Sequence, residues 1–155
     1  GSGALNTAAG TSLDSTANIT LANSTLLGGY LATKAGQPSV VLLRSETMGY
    51  VGSIELLIAI DPQGRLIATK VLRQQETPGL GGKLVEPGNH WLQGFTDASR
   101  QTTPDSAWAI KRDNGQFDQL AGATVTSRAV IDAVHDALRY FDENRQHLLE
   151  GARDE

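Results

Sequence analysis

Cysteine is missing from all 155 residues. Its absence excludes a disulfide scaffold, thiol catalysis and thiolate metal sites. It leaves the redox compartment open, because a cysteine-free chain folds in either one. Positive charge is not in excess: 13 Lys and Arg against 17 Asp and Glu leave a net charge of −4. The basic residues are scattered, which argues against nucleic acid as a partner. No apolar run reaches the roughly 18 residues of a membrane span. There is no H-E-x-x-H, no G-x-S-x-G and no Walker loop, and "PGLGG" lacks the spacing of a dinucleotide fingerprint. His90, His135 and His147 have no partners at metal-ligand spacing and are expected as surface or capping residues. Aromatics make up 5% of the chain, and Trp91 and Trp108 are expected to anchor the core. Carboxylates such as Asp142 and Glu143 are expected on a solvated helix face.

What remains is a composition of 39% apolar and 19% charged residues, enough for a single globular domain with a real core. Residues 1–29 are rich in Ala, Ser, Thr, Asn and Gly and carry one charge, Asp14. They read as a linker or cloning scar and a juxtamembrane lead-in, with a weak helical pattern at Leu21, Leu26, Leu27 and Tyr30. The domain is expected over residues 30–150, and a charged tail at 151–155 is expected to fray.

From Pro38 the pattern turns to β. "SVVLLR" reads as a strand, and Ile54, Leu56, Ile58 and Ile60 fall on one face at period two. "DPQG", residues 61–64, is a turn in which Pro62 presets φ and Gly64 closes the chain, and "RLIATKVL" returns as the antiparallel partner. "RQQETPGLGGKLVEPG" holds two Pro and four Gly and is expected as a long functional loop. "NHWLQGF" is expected as a short helix burying Trp91 and Phe95, and "SAWAIKRDNGQFDQL" as a strand, a turn at "DNG" and a short return. The last element is a helix from about Ser127 to about Leu149, with Val130, Val134, Ala137, Leu138 and Phe141 on one stripe and Thr126 or Ser127 as its cap. The fold class is therefore α+β: a mostly antiparallel sheet, a glycine-rich loop and a long C-terminal helix.

The stretch "FDQLAGATVTSRAV", residues 117–130, sets a glycine and three hydroxyls just ahead of that helix. Gly122 lets the backbone approach a ligand closely. The first helical turn offers free N–H groups and the positive end of the dipole to a phosphate, and Thr124, Thr126 and Ser127 add hydroxyls. The residues alone leave two readings open: an anion site, or a plain helix cap after a tight turn.

"DQLAGATVTS", with Asp118 six residues ahead of Thr124, resembles the flavinylation motif of the FMN-binding domain family. "ETPGLGGK", residues 76–83, resembles a second loop of the same family. Similarity continues through "GYVGSIELLIAIDPQGRLIATKVL", the Trp91 region and "WAIKRDNGQFDQL", so it covers about residues 49–138. Throughout "FDQLAGATVTSRAVIDAV" the similarity favours the branch of the Rnf G subunits. The resemblance implies FMN joined through its phosphate to the Thr124 hydroxyl by a flavin transferase that recognises Asp118. It implies contacts to the cofactor from Gly122, Ala123, Thr126, Ser127, Glu76, Thr77, Gly79, Leu80 and Gly81, with Gly82 helping the loop approach. Arg128 would assist the phosphate or face solvent. It further implies a redox subunit with no independent catalysis, on the periplasmic face of the inner membrane. An N-terminal anchor would lie upstream, and the partners would be other members of an ion-translocating complex. A domain like the C subunit of the sodium-translocating NADH:quinone oxidoreductase, another extracytosolic FMN-binding reductase or regulator, and a cofactor-free binding module are the alternatives. One position departs from the family: Ala121 stands where Ser or Thr is usual, one hydroxyl fewer beside the attachment site.

Overall fold

The computed structural model describes residues 8–151. Six strands form one antiparallel sheet: β1 (Ala8–Ser12), β2 (Ile19–Thr20), β3 (Thr25–Lys34), β4 (Gln37–Met48), β5 (Ser53–Ile60) and β6 (Leu66–Arg73). The spatial order is β1-β3-β4-β5-β6, with β2 beside one end of β3. Among the described residues one long helix, α1 (Thr124–Leu149), packs across β3, β4 and β5. Fold class and helix agree with the reading of the sequence.

The period of two in β5 is the firmest link from sequence to packing. Ile54, Leu56, Ile58 and Ile60 are completely buried, each worth about 1.5–3 kcal/mol of transfer free energy. They share one core with Val130, Ile131, Val134, Ala137, Leu138 and Phe141 of α1, all equally buried. The β5–β6 turn closes as expected. Gly64 N–H donates to the Asp61 carbonyl (3.0 Å), and the Asp61 carboxylate accepts from Gln63 N–H (2.9 Å) and Arg65 N–H (3.0 Å). Gly64 sits at φ +90°, a conformation glycine adopts without steric cost.

Several expectations are corrected. The weak helical pattern at residues 21–30 is mostly strand: Leu26 and Leu31 are buried in the core from β3, and tertiary burial overrides local spacing. A division after residue 29 falls inside β3. The β2–β3 turn is also tied to the helix, because Asn23 N–H and Ser24 Oγ both donate to the buried Asp136 carboxylate at 2.7 Å. Residues 1–7 and 152–155, where the scar and the fraying tail were expected, lie outside the described residues.

Residues 105–117 are not a hairpin. They form two short 3-10 turns, Asp105–Ala107 and Lys111–Asp113, and one isolated bridge between Ile110 and Phe117. Trp108, Ile110 and Phe117 are all driven into the core, and the chain follows the aromatic cluster rather than a ladder of its own. Residues 91–95 form a 3-10 helix that buries Phe95 fully but Trp91 only in part. His135 is not a surface residue: it is 9% exposed, stacked on Trp108 at 5.3 Å and 2.8 Å from Asp105 Oδ1. Finally, α1 begins at Thr124, with Ala123 in the cap position and no side-chain cap. Thr126 and Ser127 lie in the first turn, and their hydroxyls are used elsewhere.

Candidate functional site

Three segments meet at the start of α1: the β4–β5 turn at residues 49–52, the loop that follows β6, and residues 119–127. They enclose a cleft of about 340 Å³ lined by Tyr50, Glu76, Thr77, Leu80, Gly81, Gly122, Ala123, Thr124, Val125 and Thr126. That volume is within the usual range of small-molecule sites, about 300–1,000 Å³.

Glu76 fastens the three segments together. It is 5% exposed. Its carboxylate accepts from Tyr50 N–H (2.7 Å), Val51 N–H (2.9 Å), Gly52 N–H (3.3 Å) and the Thr126 hydroxyl (2.5 Å). Burial alone would raise its pKa, but the hydrogen bonds from Thr126 and the three amides outweigh burial and hold the carboxyl below its usual range. Two glycines make room for the clamp. A Cβ on Gly49 would lie 2.5 Å from Glu76 Oε1, and one on Gly81 would lie 2.5 Å from Thr126 Oγ1.

The three hydroxyls at the helix start differ in what they are doing. Thr126 is spent on Glu76. The Ser127 hydroxyl donates to the Ala123 carbonyl (2.7 Å) and accepts from Leu120 N–H (2.9 Å). Both residues are at most 1% exposed. Thr124 is half-buried and lines the cleft. Its oxygen accepts from Gln119 Nε2 (3.0 Å), and its own hydrogen has no acceptor among the described residues. The backbone N–H groups of Thr124, Val125 and Thr126 likewise find no acceptor among the described residues. Gly122, at φ +74°, turns the chain into the helix at this point. A helix N-terminus with unspent amides beside a free hydroxyl is a ready site for an anion.

The other expected residues fall in different places. In the loop, the Thr77 carbonyl accepts from Leu80 N–H (3.0 Å) and Gly82 N–H (2.8 Å). Gly79 turns at φ +78°, and Leu80 is left 45% exposed at the rim. Ala123 is buried at the base of the turn. Asp118 is not in the cleft: it is an exposed residue paired with Lys111 at 2.8 Å, and it lines a second hollow with His90 and Trp91. Arg128 does not reach the helix start, because it is held by Asp113 at 2.7 and 2.8 Å. Ala121, the departure from the family, is exposed, and its carbonyl accepts from Lys83 Nζ (3.1 Å). Tyr50, Val125, Gln119 and Lys83 are the residues that sequence reasoning missed. Only Tyr50 had a visible signal, an aromatic set between the two glycines of a tight turn. No cluster of three or more metal-ligating side chains occurs among the described residues.

The profile of the FMN-binding domain family matches residues 49–139, more than half of the chain. The chain belongs to the FMN-binding domain family. Every residue lining the cleft lies inside the matched span. The fold resembles that of the crystal structure of Shewanella oneidensis NqrC, with a TM-score of 0.58 at 21% identity over 77% of this chain and 61% of that one. Among curated relatives, the G subunit of the ion-translocating oxidoreductase complex of Pseudomonas aeruginosa is 49% identical over 121 residues, covering 77% of this chain and 56% of the relative. The protein of the same name from Shewanella loihica is 42% identical over 124 residues, covering 79% and 58%. The chain thus spans little more than half the length of these relatives. The residues of the FMN-binding domain fit the cofactor's two parts. Free amides and the Thr124 hydroxyl suit a phosphate, and Tyr50, Leu80 and Val125 offer apolar surface for a ring. No helix among the described residues is long and apolar enough to cross a membrane.

Proposed function

We propose that this chain is the flavin-carrying part of an Rnf-like ion-translocating oxidoreductase, with FMN joined to Thr124 through a phosphodiester. The observation that carries this reading is the difference among the three hydroxyls. Thr126 and Ser127 are buried and committed, and of the three only Thr124 lines the cleft with its hydrogen unspent among the described residues. The G-subunit relatives at 42–49% identity support the assignment to that type of complex.

The bound flavin supplies one-electron transfer between redox partners. The chain's own residues do the rest. The amides of residues 124–126 and the helix dipole stabilise the remaining negative charge of the phosphodiester. Gln119 orients the Thr124 oxygen. Glu76 keeps the β4–β5 turn and the glycine loop at fixed distance from the helix start, which holds the cleft open. No general base or nucleophilic triad is needed for electron relay. In this reading the partners are other membrane proteins of the complex and a flavin transferase that recognises the exposed Asp118. The domain works on the periplasmic face, anchored by a helix upstream of this sequence.

Intact-protein mass after periplasmic expression with and without a flavin transferase tests the proposal. The expected result is a gain of FMN less one water, mapped by peptide mass to Thr124, and no gain for Thr124→Val. Covalent flavin persisting in Thr124→Val, or no gain in the wild type while a control substrate is modified in the same cells, would overturn it.

A further inference from the structure

Tyr50 is the most exposed of the large hydrophobic side chains among the described residues, at 74%, and yet its backbone is among the best fixed. Its N–H donates to Glu76 Oε1 at 2.7 Å, and the next two amides bind the other carboxylate oxygen. Gly49 N–H closes the turn onto the Gly52 carbonyl at 2.8 Å. An aromatic ring left in water on a flexible loop calls for no explanation. One held in water by a buried carboxylate, at the mouth of a cleft, does. Tyr50 is also the only aromatic among the residues lining that cleft, and the exposed apolar lining otherwise comes from two other segments, with Leu80 and Val125 each 45% exposed. One flat face and two aliphatic ones, all unspent, suit a planar, mostly apolar ligand group better than a peptide or a sugar.

We infer that Tyr50 is the residue that covers the flavin ring: its phenol packs against the isoalloxazine while Leu80 and Val125 bound the slot. The inference rests on the reading that FMN is tethered at Thr124, and it adds where the ring lies relative to this chain. It also gives the Glu76 clamp a purpose beyond stability. By fixing the backbone of residues 50–52 to Thr126, two residues after the attachment point, the clamp sets the distance between the tether and the ring's aromatic cover.

The experiment uses flavinylated wild type, Tyr50→Phe, Tyr50→Leu and, as control, Tyr30→Leu on β3, which does not line the cleft. Mass first confirms flavin on Thr124 in each. Flavin emission and the visible circular dichroism of the flavin bands are then read. A phenol in contact with an excited flavin quenches it by donating an electron, whereas a phenyl ring does not. The expected result is weak emission in the wild type and in Tyr30→Leu. Tyr50→Phe should show a several-fold rise with the dichroic band kept, and Tyr50→Leu a similar rise with that band lost. Because the Tyr50 side chain is mostly in solvent when no flavin covers it, its variants without flavin should melt with the wild type without flavin. Equal emission and equal dichroism in wild type and Tyr50→Leu, both carrying flavin, would overturn this inference and leave the attachment standing. Wild type with no flavin would overturn both.

Discussion

The two ends of the loop-rich region, both packed against α1, are built on opposite plans. Around His135 the aromatic rings are covered: Phe95, Trp108 and Phe117 are all buried. Trp108 lies parallel to His135 at 5.3 Å and to Phe95 at 6.3 Å, with Phe117 5.0 Å from Trp108. Its indole N–H donates to the Thr103 carbonyl (3.0 Å). Arg100 holds Asp105 with two bonds of 2.8 Å and reaches Asp142 at 3.2 Å. Those hydrogen bonds push the Arg100 pKa up and, together with the bond from His135, the Asp105 pKa down. At the start of α1 the Glu76 carboxylate is satisfied just as fully, but the apolar groups are not covered. Tyr50, Leu80 and Val125 stand 45–74% exposed around one opening. A fold able to bury a Trp and two Phe nearby has left these out, so a satisfied carboxylate under uncovered apolar groups marks the cleft as a place kept for something else.

The largest expected effect comes from opening the closed end. Trp108→Ala removes a buried ring and should lower unfolding free energy by about 3–5 kcal/mol, read from urea unfolding. A cost near that of a surface residue would dissolve the contrast. Glu76→Gln should cost about 1–3 kcal/mol, because a carboxylate holding three amides and a hydroxyl is replaced by a group that cannot accept them all. Its pH dependence sharpens the point. The folded pKa is depressed, so the contribution is complete above the pH where the unfolded carboxyl titrates and is lost as pH falls through the lower folded value. The wild type should lose stability over that acid window and Glu76→Gln should lose less, seen by comparing melting temperatures across acid pH. Thr124→Val should change stability by no more than about 0.5 kcal/mol while removing all covalent flavin. Gln119→Ala should be as mild for folding and should only slow flavin attachment, visible in a mass time course with transferase and FAD. Attachment at the wild-type rate would show that the 3.0 Å bond to Thr124 does not position it.

Much of this was legible in the residues. The period of two in β5, the Asp-Pro-Gln-Gly turn and the stripe of α1 are local patterns, and burial followed them. The Gly-Ala-Thr segment marks a helix start for the same reason, although glycine and hydroxyls at that spacing suit a plain cap as well as an anion site. What misled was local too. Leu21, Leu26, Leu27 and Tyr30 suggest a helix because their spacing carries no trace of β4, the strand that β3 pairs with. Residues 105–117 suggested a hairpin because an Asp-Asn-Gly turn carries no information about an aromatic cluster waiting beside it. His135 reads as a surface or capping residue because nothing in its sequence neighbours reveals Trp108 or Asp105.

The sequence by itself determined the fold class, the helix, the β5–β6 hairpin at one edge of the sheet and the hydroxyl-rich segment ahead of the helix, since each depends on residues within a few positions of one another. Only the tertiary structure decided which of three hydroxyls is free. Thr126 is spent on a carboxylate 50 residues away and Ser127 on its own turn, and a hydroxyl's availability depends on partners that chain order does not disclose. The same holds for Tyr50. Its exposure follows from a turn fixed by Glu76, 26 residues further along the chain, and only folding brings that ring, the loop and the helix start around one opening.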